Sequence, residues 1–198
     1  MKNIIILIAS LSIWMTPAFA QDKVLVQAGD VQIIQSNCAK DEQQCDFIKS
    51  YRGKHSYLMK NWSGNANTYK FSDKLLGMTF SSTGIKTLFI TINDQNQQFK
   101  YASLLGIDDK NICFITQETY NNEKDSIVFR KTSDQKVFFV INKHTKNVTG
   151  LSQVLYSSFD PEDHQTFNFN YGTMIDNEYA SFDMTVKNAC TKPSIQTY

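Results

Sequence analysis

The chain has 198 residues, with 14 Phe, 9 Tyr and only 3 Pro, and a formal charge of +1. So aromatic a composition excludes a disordered chain. Lys and Arg are scattered among acidic residues, which leaves no basic stripe for nucleic acid or for an anionic membrane surface.

Lys2 precedes an apolar run over residues 4–13, and Ala18-Phe19-Ala20 is followed by the polar pair Gln21-Asp22. This is the layout of a secretory signal peptide cut after Ala20. The run is too short to span a bilayer, which takes about twenty apolar residues, and no later stretch is apolar enough. Residues 1–20 are therefore expected to be the signal peptide and residues 21–198 a single β-rich domain, periplasmic or secreted. Without Lys2 the formal charge falls from +1 to zero.

Residues 23–27 and 31–36 read as two short strands around Ala28-Gly29-Asp30. Residues 40–51 are rich in Asp, Glu, Gln and Lys and are expected to form the one short N-terminal helix, stopped by Gly53. From there the apolar period is two. Strands are expected at 55–59, 68–71, 77–82, 86–93, 98–105, 111–119, 126–131, 136–142, 150–159, 166–171 and 179–187. Polar breakers separate them, among them Asp94-Gln95-Asn96, Asn121-Asn122-Glu123-Lys124 and the 172–177 segment. Breakers every ten to fifteen residues mark antiparallel hairpins. The expected fold is all-β: an antiparallel meander forming a barrel or a strongly curved sheet or sandwich. No internal repeat marks a solenoid or a propeller.

Four cysteines follow the signal peptide: Cys38, Cys45, Cys113 and Cys190. An even number in an exported chain points to two disulfides, and no C-x-x-C pair offers a zinc site. Of the three pairings, Cys38–Cys45 with Cys113–Cys190 is favoured, one a local loop and the other a tie from the last strand to a middle one. A straight helix would hold Cys38 and Cys45 about 10 Å apart, so this pairing needs a turn within residues 39–44.

Chemistry is sparse. His55, His144 and His164 share no metal spacing. Asp160-Pro161-Glu162-Asp163-His164 packs three carboxylates and an imidazole into five residues, a candidate loop for a hard cation. It lacks the alternating acidic pattern and glycine of a dedicated calcium loop. No G-x-S-x-G elbow or phosphate-binding glycine loop occurs, and no cofactor is implied. The sequons Asn61-Trp62-Ser63 and Asn147-Val148-Thr149 carry glycans only in a eukaryotic secretory pathway. Trp62 is the one tryptophan after the signal peptide. With Tyr57 and Tyr69 it is a candidate ligand or partner contact, and Phe167 and Phe169 form a second aromatic stripe.

Length, export signal and meander are similar to those of lipocalin-like barrels, without the G-x-W of their first strand. The expectation is an exported, non-enzymatic binding protein of the cell envelope, holding a small apolar ligand in a β-barrel. One alternative is a periplasmic inhibitor or immunity-type protein that binds another envelope protein. The other is a hydrolase with no recognisable motif.

Overall fold

The structure is a computed structural model that describes residues 22–39, 43–83, 85–108, 110 and 112–196. The signal-peptide reading falls on residues 1–20, outside the described residues. Among the described residues sixteen strands form four antiparallel sheets, each a meander of four consecutive strands. The first sheet holds β1 (Lys23–Ala28), β2 (Val31–Ser36), β3 (Cys45–Tyr51) and β4 (Lys54–Trp62). The second holds β5 (Asn65–Ser72), β6 (Leu75–Ser82), β7 (Ile85–Asn93) and β8 (Gln98–Tyr101). The third holds β9 (Leu104–Ile107), β10 (Cys113–Tyr120), β11 (Glu123–Lys131) and β12 (Val137–Ile141). The fourth holds β13 (Val154–Phe159), β14 (Phe167–Ile175), β15 (Glu178–Lys187) and β16 (Ser194–Gln196).

The all-β, antiparallel expectation holds, and two features of it are corrected. No sheet closes or curls, so there is no barrel wall and no lumen within one. The helix is also absent among the described residues. Residues 40–42 lie outside them, and residues 45–51 are β3, paired with β2 in six registered pairs from Val31↔Tyr51 to Ser36↔Asp46. The cause is a turn: the Ala39 N–H donates to the Gln44 carbonyl at 2.8 Å, and Cys38 is bonded to Cys45. Gly53, read as a helix stop, sits in a hairpin turn with positive φ at Arg52 (50°) and Gly53 (75°). Asn121-Asn122 and Asp176-Asn177 close two further hairpins, with both residues of each pair at positive φ.

Burial explains the order of the sheets. Every residue of β6 from Leu75 to Phe80 is buried, so both faces of the second sheet are covered. Leu76, Met78, Phe80, Ile90 and Ile92 pack against Ile33, Phe47 and Leu58 of the first sheet. On the opposite face Phe89 and Tyr101 pack against Phe114 of the third sheet. The other face of the third sheet, with Ile115, Ile127, Phe129 and Ile141, packs on Phe167, Phe169, Tyr171 and Met184 of the fourth. The four sheets thus stack face to face in chain order. A structural repeat is present although no sequence repeat reveals it, and a four-stranded meander is also the unit of propellers.

The run at 98–105 is two strands. The chain breaks at Ala102-Ser103, and the Gln117 N–H donates to the Ser103 carbonyl at 3.0 Å, which carries β9 into the third sheet. Conversely, β14 runs through the expected breaker at Gly172 as far as Ile175. Both disulfides have the favoured pairing: Cys38–Cys45 within the first sheet, and Cys113–Cys190 between the third and fourth.

Candidate functional site

The end of β4 builds the site. Asp46, on β3, accepts from Asn37 Nδ2 at 2.9 Å and from the Asn61 N–H at 2.8 Å. These bonds, the Asn37 side chain first, hold its carboxyl below the usual carboxylate range. Asn61 takes a left-handed φ of 48° there, and the next residue, Trp62, is turned across the junction of the first two sheets. Its ring meets Phe80 edge-on at 5.7 Å, and Phe80 meets Phe47 at 5.3 Å. The indole N–H donates to the Asn65 carbonyl at 3.1 Å. Gly64 lies directly against this ring.

Beside Trp62 lies an open cleft of about 650 Å³, lined by Leu25, Gln35, Phe47, Asn65, Ala66 and Thr68 among others. The Cys38–Cys45 bond frames one side, where Gln35 Nε2 lies 2.9 Å from Cys45 Sγ. Gln44 braces the rim by donating to the Asn61 carbonyl at 3.2 Å. Aromatic and aliphatic side chains are interleaved there with amides and a hydroxyl; Gln35, for one, is the cross-strand partner of Phe47. Such a surface holds a segment by stacking and hydrogen bonds rather than by charge.

The other candidate residues lie elsewhere. Tyr57 is half exposed on β4, with Lys60 Nζ 4.0 Å above its ring. Tyr69 faces the third sheet, stacked on Phe71 and edge-on to Phe89. Phe167 and Phe169 are buried between the third and fourth sheets. The five aromatics therefore do not converge. Leu25, Gln35 and Phe47, which join Trp62, carry no local signal in the sequence; only their register across β1–β4 brings them there.

Asp160, Glu162, Asp163 and His164 form the turn between β13 and β14. Asp160 accepts from the N–H groups of Glu162 (2.8 Å) and Asp163 (3.3 Å). Asp163 accepts from the Thr166 hydroxyl (2.5 Å) and from the N–H groups of Thr166 (2.8 Å) and Gln165 (2.9 Å). The Thr166 hydroxyl bond leads these in lowering its pKa from 3.8 to about 2. These carboxylates serve the turn itself. His164 instead borders a second cleft of about 450 Å³, with Asp108, Lys110, Asn188 and Cys190. Among the described residues, the metal-type ligand atoms of Asp108, Cys113 and Cys190 fall within 4.8 Å of one another. The two sulfurs are bonded to each other, which removes the thiolates a soft metal takes.

A polar network links the second and third sheets. Gln135 Oε1 accepts from Thr91 Oγ1 at 2.6 Å and from the Tyr101 hydroxyl at 3.0 Å. Arg130 pairs with Glu118, and its guanidinium lies 5.2 Å above the Tyr101 ring. Burial pushes the Tyr101 hydroxyl up from its usual pKa.

No protein-family model matches the chain, and no curated protein matches it. Among solved structures it is similar to a Mycobacterium tuberculosis puromycin-hydrolyzing peptidase, at 10% identity and a TM-score of 0.35. That likeness covers 88% of this chain and 32% of the other, so the chain spans about a third of that protein's length.

Proposed function

We propose that the protein is exported to the cell envelope and acts there as a non-enzymatic binding protein that captures another protein through the Trp62 cleft. One observation carries this reading. The cleft is open to solvent and sets the amides of Gln35, Gln43 and Asn65 beside the rings of Phe47 and Trp62, whereas aromatic and aliphatic side chains fill the facing surfaces of the sheets. An enclosed apolar ligand needs the reverse, an empty apolar interior. A partner's chain needs an open aromatic anchor with hydrogen-bonding groups around it.

The test is native mass spectrometry of the mature protein isolated gently from its own envelope, beside a Trp62→Ala variant. A stoichiometric protein partner that the variant loses supports the reading. A discrete small-molecule adduct on the bare protein overturns it in favour of a carrier. A partner retained in full by the variant moves recognition away from the cleft.

A further inference from the structure

The fourth sheet is incomplete along one edge. β15 pairs with β14 from Ile175↔Glu178 to Phe167↔Val186, all of its residues but Lys187. On its other side, among the described residues, β16 covers only Thr185, Val186 and Lys187. Among the described residues, no backbone hydrogen bond reaches the outer edge of residues 178–184. An open edge of this length presents a row of unpaired N–H and C=O groups.

Open edges are commonly guarded by lysine or proline. The free edge of β4 carries Lys54 and Lys60. The stretch Glu178-Tyr179-Ala180-Ser181-Phe182-Asp183-Met184 has no Lys, Arg or Pro. Exposed apolar surface lies on it as well: Tyr179 and its cross-strand partner Met174 on β14 are each 63% exposed.

We propose that this edge pairs with the same edge of a second copy, antiparallel about a two-fold axis through Ser181. The length fits. β16 brackets the stretch at one end and the Asp176-Asn177 turn at the other. A copy of the same edge has the same length and the same brackets.

The chemistry fits too. Centred on Ser181, the register sets Tyr179 opposite the second copy's Asp183, so that this carboxylate meets an uncharged residue. It sets Ala180 opposite Phe182, small against large, and Glu178 opposite Met184. No like charges are opposed. A register centred on Glu178 or on Asp183 would oppose identical carboxylates, which destabilises a cross-strand pair. With the signal peptide removed the formal charge is zero, so no long-range repulsion holds two copies apart.

The mature protein is expected to sediment as a dimer in analytical ultracentrifugation. Ser181→Lys sets two ammonium groups against each other on the axis and is expected to give a monomer with an unchanged circular dichroism spectrum. Ser181→Cys is expected to form a disulfide-linked dimer on mild oxidation, because directly opposed residues have Cα atoms about 4.5–5.5 Å apart, within disulfide reach. Tyr179→Cys and Asp183→Cys, which face each other rather than themselves, are expected to link far more slowly. A monomer at every concentration overturns the proposal. So does a dimer that survives Ser181→Lys, or one that Ser181→Cys fails to link, since its interface then lies elsewhere.

Discussion

A methyl group at Gly64 would lie 2.4 Å from the Ser81 carbonyl oxygen and 2.6 Å from the Trp62 ring. The first neighbour is backbone and cannot swing aside. Gly64→Ala is therefore expected to cost about 1–3 kcal/mol by overpacking. It should also shift the emission of Trp62, the one indole beyond residue 20. Denaturant melts and fluorescence spectra of the two proteins check both effects. Asp163 gives a prediction in pH. Its folded pKa is depressed to about 2, so its contribution to stability is present above the unfolded value of 3.8 and is lost as pH falls through about 2. Asp163→Asn should flatten the acid limb of the stability curve between these values. A wild-type carboxyl titrating near 4 by NMR would contradict it. Neither effect is legible in the sequence. The close approach at Gly64 and the bonds to Asp163 depend on neighbours distant or unmarked in the chain, Ser81 and Thr166.

At the scale of elements, the period of two was a good guide where one face of a strand is buried and the other is not. It places β15, where Met184 and Val186 are buried and Tyr179, Ser181 and Asp183 are exposed, within a residue of its observed bounds. It failed at β3, where five of the seven residues are buried and leave too little contrast between faces: Cys45, Asp46, Phe47, Ile48 and Ser50. The charged stretch before it then reads as the start of a helix. The three-residue β16 is too short to carry a pattern. The cysteines were more informative, because a disulfide constrains distance whatever the local period. The two bonds close loops of different length, with sequence separations of 7 and 77. In the chain-entropy account the short loop contributes roughly 2 kcal/mol and the long one roughly 4–5 kcal/mol. Replacing both Cys113 and Cys190 by Ser should thus lower stability more than replacing Cys38 and Cys45. Equal losses in chemical denaturation would refute the ranking.

At the scale of the whole molecule, the three junctions between sheets are unequal. Among the described residues, eleven buried hydrophobic residues hold the first junction, fourteen the last and three the middle one. The middle junction relies more on polar groups, with Gln135 bridging Thr91 and Tyr101, and Arg130 paired with Glu118. Arg130→Met would leave the Glu118 carboxylate largely buried without its cation. A loss of roughly 2–3 kcal/mol is expected, less than for a fully buried pair because both side chains keep some contact with water. The double variant Glu118→Met/Arg130→Met should recover most of it. A double variant as unstable as the single one would show that the polar pair itself, not the orphaned charge, matters. The order of the sheets was not legible in advance, because nothing in the spacing of strands says which faces meet. The aromatic residues supply burial at every junction without marking which.

The disulfides follow the same division. One lies inside the first sheet and the other joins the third to the fourth; neither crosses the middle junction. The strands on either side are joined there by the short connection at Ala102-Ser103. Pulled by its two ends, the molecule would part at its waist before either half came undone. It would give way as two bodies on a short tether, each still carrying its own covalent clasp.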